Sequence, residues 1–294
     1  MSRPTMNRPA ISKPATGKTS LSPAELLRQA VLLLFGLLAL FPLYFSVVNS
    51  FKNPVQYATS LLNIPTAPHP ENYAVAWAQI AGPMFNSVLV TVLSVLFTLL
   101  FAALSAYAFA LMDFPGRHLL FAFVFALLLI PDFLTLIPLY LQIKALTLPS
   151  TYLAIILPTV AAGQAFSILV LRTAFEGIPR GILEAARIDG AGHLQTLLRV
   201  VLPISIPALV SVAIIRLVPV WNDYLLPSLV LDEAHRTLPM ALVAFQGGGS
   251  ATTSTPDYGA LMASYVLSAL PLLILFSFLM RSYIQGLTGG AVKD

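Results

Sequence analysis

Cysteine is absent from all 294 positions, and Asp, Glu, Lys and Arg together make up only 10% of them. Without cysteine the chain has neither disulfides nor thiolate metal sites. With so little charge it cannot cover a globular surface, since a soluble domain carries about 25% charged residues. The four histidines, His69, His118, His193 and His235, stand in separate segments, with no HExxH spacing and no Gly-x-Ser-x-Gly elbow beside them. Nothing therefore supports a membrane metalloenzyme or serine hydrolase. "GKT" at Gly17 to Thr19 ends like a phosphate loop, but Ser12 stands where that pattern needs glycine. No nucleotide site is expected in this chain.

What the sequence has in excess is apolar surface: 57% hydrophobic residues and a mean hydropathy of +0.85. This composition reads as a polytopic membrane protein with lipid as its main solvent. The net charge of +4 does not argue for nucleic acid, because the basic residues sit at segment ends. Residues 1–25 begin "MSRPTMNRPAISKPATGKTS" and read as a disordered tail. Residues 26–83 hold a first membrane helix, built on Ala30 to Val48, and an external loop. The run is too long for a signal-peptide core and reads as an uncleaved anchor. Five further runs each suffice to span about 30 Å of hydrocarbon: Met84 to Met112, Leu119 to Tyr140, Thr151 to Leu171, Ile204 to Leu229 and Tyr258 to Met280. The fold class is thus all-α, with six transmembrane helices. Residues 84–281 form the core of five helices, and residues 282–294 form a C-terminal tail. Several prolines interrupt the spans, among them Pro131, Pro138, Pro158 and Pro219. They suit kinked helices lining a pathway, and are also simply tolerated in membrane helices.

Placing the N-terminus inside puts twelve of the sixteen Lys and Arg residues on the inner side. It leaves Lys52, Lys144 and Arg236 outside and Arg216 within a span. That asymmetry makes both termini cytoplasmic. The inner loop of residues 172–203 then holds "EAARIDGAGHLQTLLRVVLP". This stretch concentrates Glu184, Arg187, Asp189, His193 and Arg199 in a chain that otherwise avoids charge. Pro179 suits a first helical position, and Gly190 and Gly192 offer a stop. Ile182, Ala185 and Ala186 fall on one side at helical spacing. The two alanines are small enough for another protein to approach the backbone. Glu184 and Arg187, three apart, are placed to pair on the surface. A second short helix follows, which Pro203 and Pro207 redirect into the membrane. On pattern alone the loop is equally an amphipathic segment lying on lipid.

"EAARIDGA" followed by "VVLPISIPAL" resembles the EAA loop of binding-protein-dependent ABC importer permeases. Glu184, Ala185, Ala186, Gly190, Leu202 and Pro203 match that pattern in identity and spacing. "NSVLVTVLS", "YAFALMDFPGR", "LIPLYLQIKALTLPSTYLAIILP", "WNDYLLP", "RTLPMAL" and "QGLTGGAVK" resemble the sugar-type branch, in particular its maltose-like second permease. The resemblance covers roughly residues 80 to 293. It implies a type I permease bundle of a bacterial or archaeal cytoplasmic membrane, with no catalysis of its own. It implies further that the loop of residues 172–203 forms a coupling helix seated on an ATPase, with Glu184, Ala185, Ala186, Arg187, Asp189, Gly190, Leu202 and Pro203 as the coupling residues. Gln285, Gly286, Leu287, Thr288, Gly289 and Gly290 make a second ATPase contact by the same likeness. The implied partners are a homologous second permease, two ATPase subunits using ATP and Mg²⁺, and an external solute-binding protein. The solute is a sugar, polyol or glycoside. A permease for a non-sugar solute, or a channel or passive carrier, is the alternative.

The path itself is less specified. Trp221, Asn222, Asp223 and Tyr224 lie about 26 Å beyond Ile204, where rings and amides suit a sugar and equally suit an interfacial aromatic belt. The loop Phe245 to Gly259 is external and rich in Gly, Ser and Thr. Asp132 and Arg216 fall about 20 Å and 18 Å along their spans from the same side. An ionisable group at that depth costs several kcal/mol unless paired or wet. They are expected to pair or to share one polar cavity on the path. Asp223 is the rival partner for Arg216, and separate exposure to water or a partner subunit is the plain alternative.

Overall fold

A computed structural model of the chain describes residues 22–247 and 257–289, with the side chains of Asp132 and of residues 279–289 outside the description. Among the described residues every regular element is helical. Helix α1 (Pro23–Ser50) opens ahead of the expected boundary at residue 26. Its start is set by a capping box: Ser22 N donates to Glu25 Oε2 at 2.9 Å, and Glu25 N donates to Ser22 Oγ at 3.3 Å. The chain divides into two units, one ending at Phe45 and the other beginning at Ser46. The first is the apolar N-terminal part of α1, whose side chains are almost all exposed.

In the second unit, α2 (Pro54–Thr59) is a short cap-stabilised turn before α3 (Glu71–Leu111). Helix α3 starts thirteen residues before the expected Met84. The apolar run does begin near Met84, but the helix reaches back because Ala76 and Ile80 are fully buried in the core. Pro83 is absorbed within it. Helices α4 (Arg117–Ala126) and α5 (Asp132–Ala145) replace the single expected span Leu119 to Tyr140. The pair bends by 102° after a 3-10 turn at Leu127–Leu129. Pro131 causes the break: it supplies no N–H, and Ile130 before it is driven to extended backbone at φ −86°, ψ 116°.

Helix α6 (Leu153–Glu176) runs against α3 along most of its length. Next come α7 (Arg180–Ile188), α8 (His193–Thr196), a π turn at Leu197–Val201 and α9 (Leu202–Ile204). Helix α10 (Ile206–Trp221) is bent by 78° from that segment and ends eight residues before the expected Leu229. Helices α11 (Leu225–Val230), α12 (Leu238–Gln246) and α13 (Tyr258–Gly289) complete the chain. Four helices are long and apolar enough to cross a membrane, or up to six if each bent pair is one span, among the described residues.

Small residues set how closely the axes approach. Ala102, Ala103 and Ala106 of α3 admit Ile168, Leu171 and Phe175 of α6, with Leu197, Val201 and Val212 closing the same core. A second core, toward the other end, joins Val90, Ile143, Ile155, Val160 and Leu226. At that end Lys52 is fully buried. Its Nζ donates to Asn49 Oδ1 at 3.0 Å, Ser60 O at 2.7 Å and Leu61 O at 3.0 Å. Burial pulls the ammonium below its usual pKa. Asn72 Nδ2 donates to Ser50 O and Lys52 O, binding α3 to the same turn.

Gly259 closes over this network, and a Cβ there would overlap Lys52 O and the Asn72 amide. Gly259→Ala should therefore lower the stability of the purified protein by about 1–3 kcal/mol through overpacking. Gly82→Ala, with open space around it, should be neutral or slightly stabilising. Thermal unfolding of the two variants in detergent checks the pair.

Candidate functional site

The loop flagged by its charges folds as a helical finger. Pro179 is the residue before α7 rather than its first helical position, and adopts extended backbone at ψ 130°. Gly190 ends the helix at φ +79°. Ala191 N donates to Ala186 O and Gly190 N donates to Arg187 O, both at 3.0 Å, which closes the C-terminus in the left-handed turn that glycine permits without strain. The two alanines part company. Ala186 is buried at 9% exposure and, with Leu183, faces the body of the protein. Ala185 and Glu184 face outward, and Ile188 at the tip is 86% exposed. Only one of the alanines is thus an approach point from outside. The expected Glu184–Arg187 pair does not form among the described ion pairs. Instead Arg172 bonds Glu176 at 2.8 Å, at the end of α6, and its guanidinium lies 3.8 Å from the Phe121 ring centroid.

The finger is rooted in the body. Leu197 and Val201 are buried beside Phe175, and Leu202 packs against the same core, while Asp189 and Pro203 are exposed. Tyr107, near the end of α3, contacts His193 Nδ1 through its hydroxyl at 3.2 Å. Arg199 lies in the π turn and is exposed. Sequence reasoning did not foresee the Tyr107–His193 contact, because it joins residues 86 positions apart. Gln285, Gly286, Leu287, Thr288 and Gly289 lie in the last turns of α13, with their side chains outside the described residues. Gly290 and Lys293 lie outside them entirely, as do residues 248–256 of the Gly/Ser/Thr-rich loop.

The residues expected near the path are dispersed. Trp221 is 6% exposed and packs with Ile80 and Leu238, so its ring belongs to the core. Asn222 turns its amide to Val218 O at 2.9 Å. Asp223 lies in the turn between α10 and α11 and is half-buried. Tyr224 is 38% exposed. Asp132 opens α5, and its expected pairing with Arg216 concerns a side chain outside the described residues. Arg216 is half-buried, and its Nη2 donates to Thr159 O of α6 at 3.4 Å. It passes Gly163, where a Cβ would stand 2.9 Å from Arg216 Nε and 2.9 Å from Thr98 Cγ2. A glycine inside an apolar helical run was the available signal for that close approach. Beyond the guanidinium opens a cavity of about 650 Å³ between α5 and α6.

At the other end, polar residues of α3 hold the loop before α12. Asn86 Nδ2 donates to Arg236 O at 3.0 Å and receives Tyr152 OH on Oδ1 at 2.8 Å, while Leu238 N donates to Ser87 Oγ at 2.8 Å. No group of three or more metal-ligating side chains occurs among the described residues.

Comparison with known proteins identifies the family. Residues 99–289 match the family model described as binding-protein-dependent transport system inner membrane component. The diacetylchitobiose uptake system permease protein NgcG of Streptomyces coelicolor is 32% identical over 90% of this chain and 88% of its own length. The trehalose/maltose transport system permease protein MalG of Thermococcus litoralis is 31% identical over 92% of this chain and 98% of its own. In structure, a chain of a bacterial ABC transporter that imports the acidic polysaccharide alginate superposes with a TM-score of 0.76, at 23% identity, covering 88% of this chain and 95% of that one. That last likeness concerns the fold alone. The chain therefore belongs to the family of binding-protein-dependent transport system inner membrane components, the ABC importer permeases, and is a multi-pass protein of the cytoplasmic membrane.

Proposed function

We propose that this chain is a permease subunit of an ATP-driven importer of sugars or oligosaccharides, with six spans and both termini cytoplasmic. It works with a second permease, two ATPase subunits and an external solute-binding protein, and ATP and Mg²⁺ are used by the ATPase alone. The observation that carries this reading is α7: a short helix whose inner face is buried and whose outward tip is apolar. An 86%-exposed isoleucine on a helix end that also carries Glu184, Arg187 and Asp189 suits a mixed docking surface better than free solvent. The sugar class is supported by relatives of similar length named for diacetylchitobiose and for trehalose and maltose.

The coupling has a mechanical route. Helix α7 is joined through Gly177 to Pro179 to the end of α6, and through α8 and the π turn to α10. Closure of the ATPase pair would displace the finger. Its buried root at Leu197, Val201 and Phe175 would pass that displacement to both helices. Transport requires two bundle states of similar free energy, biased by nucleotide and by loaded binding protein.

Glu184→Lys should reduce ATPase copurification and transport while membrane insertion persists. Gly190→Val places a β-branched residue at positive φ, costing about 1–2 kcal/mol locally. It should likewise lower solute-stimulated ATP hydrolysis in proteoliposomes. Wild-type transport and copurification in both variants would remove the docking role. Deleting residues 285–294 should impair ATP turnover by the assembled complex more than insertion, and unchanged turnover would remove the second contact. Uptake of maltose, trehalose and diacetylchitobiose by the complex tests the sugar class, and transport of none of them would count against it.

A further inference from the structure

We infer that Tyr107 is a positioning residue: through His193 it fixes the finger to α3, and α3 carries the state of the loop before α12, at the far end of the bundle, to the finger. This rests on the reading of the finger as the ATPase contact and adds how events on the opposite face of the membrane reach it.

The chain itself joins the finger to α6 at Pro179, and to α10 through α8 and the π turn. No such segment joins it to α3, so α3 follows the finger only through side-chain contact. The apolar part of that contact, Leu197 and Val201 in one core with Ala102, Ala103 and Ala106, is non-directional and lets one surface roll over another. A hydrogen bond fixes an angle. The Tyr107 hydroxyl supplies one, 3.2 Å from His193 Nδ1, with the two rings edge to face at 6.1 Å and 74°. Tyr107 is the last polar side chain of α3 and is buried. His193 is exposed and opens α8, just past the turn at Gly190 that ends α7. The contact therefore sits where the finger turns back into the body.

Helix α3 is suited to carry a displacement. From Asn86 to Tyr107 it contains neither proline nor glycine. Helices α5, α6, α10 and α13 each enclose a proline, at Pro138, Pro158, Pro219 and Pro271. Proline removes a hydrogen bond and crowds the turn before it, which kinks a helix. The α3 segment is instead an unbroken rod of about 30 Å. Polar contacts tie both of its ends. At one, Tyr107 holds the finger. At the other, Asn86 Nδ2 donates to Arg236 O at 3.0 Å and Ser87 Oγ accepts from Leu238 N at 2.8 Å. The loop gripped there presents the exposed carboxylates of Asp232 and Glu233, a surface open to a protein partner.

The test uses the assembled complex in proteoliposomes. Its readout is the stimulation of ATP hydrolysis by the binding protein, loaded with whichever of maltose, trehalose and diacetylchitobiose the complex transports. Tyr107→Phe keeps the ring and removes the hydroxyl. It should lower the stimulation about fivefold, the scale of one hydrogen bond, while ATPase copurification persists. His193→Ala, at an exposed position, should do the same, and reads the contact if Tyr107→Phe fails to insert. His193→Asn, whose amide can stand near the place of Nδ1, should recover at least half of the loss. Tyr107→Phe with His193→Ala should lose no more than either alone. Asn86→Ala and Tyr107→Phe should also be non-additive, although independent sites that far apart add. Wild-type stimulation in both Tyr107→Phe and His193→Ala would overturn the inference. So would lost copurification in Tyr107→Phe, equal losses in His193→Asn and His193→Ala, or additive losses in either double variant. No stimulation of the wild-type complex by loaded binding protein would instead strike the coupling reading itself.

Discussion

A bilayer offers no hydrogen-bond partner, so every polar group carried into it must be satisfied by the protein or by trapped water. The placement of nearly every polar side chain in this bundle follows from that constraint. Ser167, Thr173, Ser211, Ser264 and Ser268 turn their hydroxyls back onto the carbonyl four residues earlier in their own helices. Asn86 and Ser87 use their polar atoms to hold the loop before α12. Lys52 is enclosed by two carbonyls and an amide oxygen. Removing either partner of such a buried pair leaves the other unsatisfied, at about 1–3 kcal/mol each.

The middle of the bundle is built differently. Helices α3, α6 and α10 meet around Thr98, Gly163 and Arg216 with little bulk between them. Thr91 Oγ1, Ser94 Oγ and Gln164 Oε1 are buried without a hydrogen-bond partner among the described residues. Ser94 and Thr98 are almost fully enclosed on the same helix. Pro131 breaks the α4–α5 pair, so one wall of the cavity is the short helix α5 while the other is the continuous α6.

Much of this was legible in the sequence. Scarce charge and six apolar runs gave the class, and the Lys and Arg asymmetry gave a topology. Six matched positions from Glu184 to Pro203 picked out the finger, and Gly190 marked its end. What was not legible depends on contacts distant in sequence or on the angle between pieces. Pro131, Pro203 and Pro207 marked both breaks, but hydropathy cannot measure the angle at a break, so bends as sharp as 102° and 78° were not foreseen. It cannot place the start of a helix whose first turns are polar on one side, so α3 was begun too late. Helical spacing put Ala185 and Ala186 on one side, but only packing decides that Ala186 faces inward. Trp221 read as interfacial because depth was counted along the helix, and the cluster of Ile80 and Leu238 that encloses it comes from other segments.

The finger remains the point on which the functional reading turns, and its two faces can be told apart directly. In the assembled complex, a short thiol-to-amine crosslinker attached at Ile188→Cys should join this chain to an ATPase subunit, whereas the same reagent at Ala186→Cys should not. The yield at Ile188→Cys should change when ATP binds. A crosslink at neither position, or modification of Ile188→Cys by lipid-embedded reagents instead, would place α7 on the membrane surface and contradict its role as the ATPase contact.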